Sequence, residues 1–104
     1  MSSAPVRTRA IITEASRPSM PKHVKMRHDP GRGRWIVLAP ERVFNPDETA
    51  VSVLKLCDGV RSVKDIVALL AVDYQAPVDV ITADVIGMIQ DLADKGVIDA
   101  TNSN

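Results

Sequence analysis

The alternation of apolar and polar positions predicts three short strands in the first half of the chain. Between residues 24 and 29, apolar side chains or His alternate with charged residues, which is the period of a strand with one buried face. The run Trp35–Ala39 is apolar throughout and rich in β-branched residues, which indicates a strand covered on both faces. Pro40 ends this strand because proline has no N–H to donate to a ladder. Residues 42–44 then form a brief third extended segment, whose edge could accept another strand.

Helical periodicity follows the strands. Asn45 and Pro46 suit the N-cap and the first position of a helix that extends to about Cys57. Its predicted buried stripe is Ala50, Val53, Leu54 and Cys57. The stretch Ser62-Val-Lys-Asp65 is a capping box that opens a second helix. The buried stripe expected for that helix is Val63, Ile66, Val67, Leu70 and Tyr74.

A third helix is predicted from about Asp79 to Lys95, with Gly96 as its C-terminal stop. Its expected core face consists of Ile81, Val85, Met88 and Leu92. A second apolar edge beside that face consists of Thr82, Ile86, Ile89 and Ala93, with Gln90 next to it. A helix with a single core contact would not need so wide a stripe, so this edge is a candidate binding surface.

The order of these elements predicts an α+β fold. A three-stranded antiparallel sheet is followed by three helices, and the last two stand in helix-turn-helix order, as in winged-helix-like domains. The domain is expected to span residues 23–99. Residues 1–22 lack a sustained apolar period and are predicted to form a flexible basic arm or linker, and residues 100–104 a disordered tail.

The composition and charge pattern narrow the functional classes. The 104 residues have a formal net charge of zero, but residues 1–34 carry +6 and residues 35–104 carry −6. No apolar run approaches the roughly 20 residues of a membrane helix, and no signal peptide is recognisable. A single cysteine permits no internal disulfide, so a soluble, cytoplasmic protein without membrane contact is expected.

The search for catalytic chemistry finds no candidate site. His23 and His28 have no carboxylate pair at ligand spacing, so no metal site is predicted. Cys57 lies on a core stripe and is interpreted as a small buried residue rather than a nucleophile. No Ser/His/Asp arrangement or nucleotide-binding loop is present. We therefore expect no catalytic residue, no cofactor and no enzymatic activity.

The helix-turn-helix order raises a second hypothesis, a winged-helix regulator that binds DNA. Its contacts would come from the basic arm and from a wing around Arg27, Arg32 and Arg34. The third helix argues against it, because a phosphate backbone repels an acidic helix. From residue 73 to residue 99 the only basic side chain is Lys95, among six aspartates: Asp73, Asp79, Asp84, Asp91, Asp94 and Asp99. An apolar helix edge beside an open strand suits a peptide better than a nucleic acid.

Several stretches closely resemble the PqqD family of pyrroloquinoline quinone (PQQ) biosynthesis. They are Arg32-Gly-Arg-Trp-Ile-Val-Leu-Ala-Pro-Glu-Arg42, Leu54-Lys-Leu-Cys-Asp-Gly59, Arg61-Ser-Val-Lys-Asp-Ile-Val67 and the segment from Asp84-Val85 to Lys95-Gly96. The resemblance covers about residues 20–99. It implies a peptide chaperone that binds the ribosomally made precursor PqqA and presents it to PqqE, a radical S-adenosylmethionine enzyme.

The resemblance also implies where the peptide binds. Related RiPP recognition elements, domains that bind the leaders of ribosomally made peptides, hold the leader as a strand added to the third strand, in a groove closed by the third helix. Carried over residue by residue, the strand positions are Glu41, Arg42, Val43, Phe44 and Asn45. The helix positions are Thr82, Ile86, Ile89, Gln90 and Ala93. An open strand edge could also pair with a second copy of the chain, so a homodimer is left open.

Overall fold

Two small antiparallel sheets and three helices make up the fold, which a computed structural model describes for residues 11–102. The elements in chain order are β1 (Ser16–Ser19), β2 (Lys25–Asp29), β3 (Arg34–Ala39), β4 (Arg42–Phe44), α1 (Glu48–Leu56), α2 (Val63–Tyr74), α3 (Val78–Asp94) and β5 (Asp99–Asn102). The predicted α+β class is confirmed, and so is the order of a three-stranded antiparallel sheet followed by three helices. No helix in this part of the chain is long and apolar enough to cross a membrane.

The larger sheet has the strand order β2-β3-β4, so β4 lies at an edge. Residues 25–29 of β2 pair with residues 38–34 of β3, and Val37 of β3 pairs with Phe44 of β4. The β3–β4 loop is only Pro40-Glu41. Glu41 adopts a positive φ of 63°, as the second central residue of a type II turn requires. This tight loop fixes the register of β4 against β3.

The helix ends follow local hydrogen bonding. The α1 helix begins later than predicted, because the Asp47 side chain acts as its N-cap and accepts the Ala50 N–H at 2.8 Å. The predicted cap Asn45 therefore lies before the helix. At the start of α2 the predicted capping box is confirmed, with Ser62 and Asp65 each accepting the other's backbone N–H. Gly96, with φ +80°, follows α3 as the predicted stop.

The core lies where the three helices meet β3 and Val24. Most predicted stripe residues of α1 and α2 are buried, but Tyr74 is 50% exposed, so that prediction was wrong. On α3 the buried residues are Ile81, Val85 and Ile89, with Ile89 fully buried. This row steps by four residues. Because these three residues form the side of α3 that faces the core, Met88 and Leu92 lie half-buried at the edge of the core rather than in its centre.

The smaller sheet corrects the predicted domain boundaries. Residues 16–19 form β1, which pairs antiparallel with β5, and Ile12 packs in the core. The predicted arm and tail therefore include structured segments at residues 12–19 and 100–102. Sequence periodicity missed β1 because Ser-Arg-Pro-Ser has little strand propensity. Backbone pairing holds it instead, including Gly59 N–H to Pro18 O at 2.9 Å. Residues 1–10 and 103–104 lie outside the described part.

Candidate functional site

The free edge of β4 is the first component of the site. In a hairpin closed by two residues, the flanking residues Ala39 and Arg42 bond to each other, and hydrogen-bonded pairs then alternate along the ladder. Phe44 should therefore also direct its backbone groups towards β3. The N–H and C=O of Val43 point the other way, to the open edge. The Val43 side chain is 60% exposed. The strand thus offers one outward donor and one outward acceptor at its centre.

A cavity of about 310 Å³ lies between β4 and α3, and we call it the β4–α3 groove. Phe44 and Asn45 form its strand wall. Its helix wall consists of Met88, Asp91, Leu92 and Lys95. Its remaining lining comes from Val37, Pro46, Asp47, Ala50, Leu54 and Val97. An apolar interior beside an unpaired strand edge can accept a peptide that pairs with the strand and inserts side chains into the groove.

Charged groups lie along the rim of the β4–α3 groove. On α3, Lys95 Nζ lies 2.9 Å from Asp91 Oδ2, and both side chains are about half exposed. On β4, the Arg42 guanidinium carbon lies 5.9 Å from the centroid of the Phe44 ring, a distance at which a cation–π contact is favourable. The groove therefore combines apolar side chains with polar ones and carries both signs of charge at its mouth.

The helix positions carried over from the resemblance lie elsewhere. Thr82 and Ile86 line a different cavity, of about 780 Å³, between α3 and residues 12–14. Gln90 Oε1 accepts the Ile12 N–H at 2.9 Å. This flank of α3 therefore faces the N-terminal segment and not β4. Ala93 is half-buried beside the core, and Ile89 is fully buried, so a bound peptide could not touch the Ile89 side chain.

The strand half of the predicted site and its helix half are thus separated. Residues 41–45 follow one another along the edge, with Phe44 and Asn45 lining the groove. Across it the structure places four residues that the sequence reasoning did not select as site residues: Met88, Asp91, Leu92 and Lys95. Their spacing of three and four residues was a usable signal. The sequence pattern instead assigns Met88 and Leu92 to the core face and places Asp91 among the acidic residues that argue against DNA binding.

Among the described residues, the groups with a shifted pKa are Cys57, Asp58 and Asp65. Burial raises the pKa of the Cys57 thiol to about 12, and the neighbouring Asp58 carboxylate acts in the same direction. This confirms the interpretation of Cys57 as a core residue, because its reactive thiolate is disfavoured. Hydrogen bonds from backbone N–H groups lower the pKa of Asp58, in the loop between α1 and α2, and of Asp65, in the first turn of α2. Within residues 11–102, no three potential metal ligands lie close enough together to hold an ion.

Comparisons with known proteins agree on one family. The family model of Coenzyme PQQ synthesis protein D (PqqD) matches residues 34–98, a range that contains both walls of the β4–α3 groove. A protein of Bradyrhizobium diazoefficiens described as a PqqA binding protein is 55% identical over 87 residues, which cover 84% of each chain.

Two solved structures share the fold. The solution NMR structure of the PqqD truncation of Methylobacterium extorquens PqqCD is described as a functional, stand-alone RiPP recognition element. It matches with a TM-score of 0.68 at 41% identity, covering 79% of this chain and 87% of that one. The crystal structure of PqqD from Xanthomonas campestris matches with a TM-score of 0.52 at 35% identity, covering 83% of this chain and 96% of that one.

Proposed function

The chain belongs to the PqqD family of coenzyme PQQ synthesis proteins, and on that premise we propose that it binds the precursor peptide PqqA in the β4–α3 groove. The single observation that carries the proposal is the position of this apolar groove directly beside an unpaired strand edge. Relatives described as PqqA binding proteins support the choice of peptide.

The peptide backbone is proposed to pair with β4 as a fourth strand of the larger sheet. Val43 provides the central outward N–H and C=O, with Glu41 and Asn45 at the two ends of the edge. Such main-chain bonds do not depend on the peptide's side chains, so they contribute affinity without selecting a sequence. The short strand limits how many of these bonds form.

Selection is proposed to come from the groove. Alternate side chains of an added strand point to the same face, so every second residue of the peptide would enter between Phe44 and the helix wall. Met88 and Leu92 are half-buried in the free protein and would become covered by apolar peptide side chains. This assignment replaces the edge Thr82, Ile86, Ile89, Gln90 and Ala93 on the helix side.

The chain is proposed to act as a peptide chaperone without a catalytic step of its own. In this role it holds PqqA in an extended form and presents it to the radical S-adenosylmethionine enzyme PqqE. The binding of PqqA is proposed to take place in the cytoplasm, where the precursor is made. The buried Cys57 thiol supports a non-catalytic role, because it is the one thiol of the chain and its pKa is raised.

An amide chemical-shift titration of the isotope-labelled protein with synthetic PqqA tests the proposal. We expect saturable shifts at residues 41–45 and around Met88 and Leu92. Two matched variants separate the flanks of α3: Met88→Gln on the groove side and Ile86→Gln on the opposite side. Met88→Gln should weaken binding about tenfold, the cost of removing roughly one buried apolar contact of moderate size. Ile86→Gln should leave the affinity unchanged.

Both variants need a native spectrum before their affinities are compared, because both side chains touch the core edge. A folded Ile86→Gln variant that loses affinity while Met88→Gln retains it would return the site to the flank first predicted from the sequence. Shifts absent from residues 41–45 at saturation would reject strand addition on β4.

A further inference from the structure

The face of the larger sheet that points away from the helices carries cations around an apolar centre. The Nζ of Lys55, on α1, lies 4.6 Å from the centroid of the Trp35 ring. Trp35 therefore faces the helices, and so do the other odd-numbered residues of β3. Even-numbered β3 residues and their cross-strand partners therefore face outward. We call this surface the outer sheet face, and its central members are Lys25, Arg27, Ile36, Leu38 and Val43.

Two cations near the centre of this face, Lys25 and Arg27, have no local counter-charge. Within the described residues, neither Lys25 nor Arg27 lies within ion-pair distance of a carboxylate, whereas Asp29 is paired with Arg32 at 3.7 Å. Both cationic residues are exposed. Unpaired positive charges concentrated on one face attract an acidic partner and raise its rate of association.

The apolar centre lies between the strands. Leu38 and Val43 are cross-strand partners, and Ile36 pairs with Arg27. Val43 is 60% exposed, and Ile36 and Leu38 keep part of their surface exposed, so this side is not covered like the face that carries the buried Val37. An apolar patch bordered by charge has the composition of a protein-binding surface. A single-stranded nucleic acid is less suited to it, because the aromatic rings of Trp35 and Phe44 face inward and cannot stack on bases.

The outer sheet face also adjoins the proposed peptide site. A strand added to β4 would direct half of its side chains into the β4–α3 groove and the other half to the side on which Val43 is exposed. A protein that reads those outward side chains must approach from the outer sheet face, because the helices cover the opposite side. The surface next to the bound peptide is thus the one with unpaired cations.

We infer that the outer sheet face docks an acidic protein surface with an apolar centre, belonging to the enzyme that receives the bound peptide. This inference rests on the proposed function for the identity of that enzyme. Apolar contacts at Leu38 and Val43 would hold the enzyme. Lys25 and Arg27 would steer it and fix its orientation. Peptide and enzyme would then occupy adjacent surfaces and bind at the same time.

The test compares charge reversal on this face with charge reversal elsewhere. The variant Lys25→Glu/Arg27→Glu inverts the outer sheet face, and Lys64→Glu inverts an exposed cation on α2 as the control. Binding of purified PqqE is measured with and without PqqA by surface plasmon resonance, at about 50 and about 300 mM salt. We expect the double variant to bind PqqE at least tenfold more weakly, mainly through slower association, while its affinity for PqqA is unchanged. Lys64→Glu should match the parent protein in both assays.

Three outcomes would overturn the inference. The first is an unchanged PqqE affinity in the double variant, and the second is an equal loss of PqqE affinity in Lys64→Glu. The third is salt-sensitive binding of duplex DNA that charge reversal abolishes while PqqE binding is retained. The PqqA-binding assay distinguishes a failure of this inference from a failure of the proposed function. If PqqA fails to bind the parent protein, the proposed function is wrong, while PqqE binding without peptide still reports on the outer sheet face.

Discussion

Replacing Val43 with proline tests strand addition at the central residue of β4, whose N–H faces the open edge. Proline removes that donor and places its ring where a peptide strand would approach. The fold should tolerate the change, because the β3–β4 ladder is made through Arg42 and Phe44 on either side. Proline is also accepted in edge strands when its nitrogen faces solvent. The Val43 side chain is 60% exposed, so little apolar burial is lost.

The expected effect follows from one lost hydrogen bond and one steric conflict. A backbone hydrogen bond contributes about 0.5–1.5 kcal/mol net, which corresponds to a loss of affinity of about two- to twelvefold. The proline ring prevents close approach of the peptide backbone at this point, so the loss should lie at or above the upper end of that range. The unfolding free energy of the protein should fall by no more than about 1 kcal/mol.

Isothermal titration calorimetry with PqqA measures the affinity, and urea denaturation measures the stability. Val43→Thr is the matched control, because it retains the N–H and the β-branched shape and should bind within about twofold of the parent. If Val43→Pro is folded and binds PqqA as tightly as Val43→Thr, the peptide does not pair with β4 and the reasoning from the hairpin register fails.

Three further predictions concern the fold. Ile89→Ala should lower the unfolding free energy by about 2–5 kcal/mol in urea denaturation. The control Val72→Ala, at a side chain that is 76% exposed, should change it by under about 0.5 kcal/mol. Similar costs for the two variants would contradict the assignment of Ile89 to the core. Deleting residues 1–22 should destabilise the domain more than deleting residues 1–10, because only the longer deletion removes Ile12 and β1; equal thermal midpoints would contradict a structural role for these residues. The hydrogen bonds of the capping box lower the pKa of Asp65 in the folded protein. The stabilisation of the fold by these bonds is therefore complete above the unfolded pKa of about 3.9. It is lost as the pH falls through the lower folded pKa. Asp65→Asn should therefore show a smaller loss of stability on acidification, and an unchanged pH profile would argue against that linkage.

The larger sheet was predictable because its signals are local. The alternation of residues 24–29, the apolar run Trp35–Ala39 and the break at Pro40 each depend on a few neighbouring residues, and the observed strands lie within one or two residues of the predicted ones. The start of α1 was less certain from sequence. Asn45 and Asp47 are both good N-caps, and only the backbone path into the helix selects between them.

The flank of α3 that meets β4 could not be read from its sequence. Neighbouring residues on a helix differ by 100°, so including Ile89 in the core instead of beside it is enough to turn a different edge towards the strand. The sequence offers a wide apolar stripe, and tertiary packing decides which part of it is buried. The positions carried over from the resemblance lie on one flank of α3, and the flank that faces β4 in this structure is a different one.

The N-terminal segment illustrates a different limit. Ile12 is a buried core residue and Ser16 is fully buried, yet the surrounding sequence has no periodicity that would indicate either. Its structure depends on a partner strand at residues 99–102, at least 80 positions away in the sequence. Pairing over that distance leaves no local pattern, because neither strand has a strongly apolar face of its own.

The length of β4 determines how affinity is divided between backbone and side chains. Three residues present one fully outward pair of backbone groups, which can form two hydrogen bonds. The flanking positions add one or two more, for a total of about 3–4 kcal/mol at roughly 1 kcal/mol each. The loss of translational and rotational freedom on association alone costs an estimated 4–15 kcal/mol. Strand addition therefore aligns the peptide but cannot hold it, and most of the affinity must come from apolar contacts in the β4–α3 groove. It follows that removing the peptide's groove-facing apolar side chains should weaken binding more than methylating a single peptide nitrogen that faces β4. Calorimetry on the two modified peptides decides between these contributions, and the opposite order would mean that the groove is not the main source of affinity.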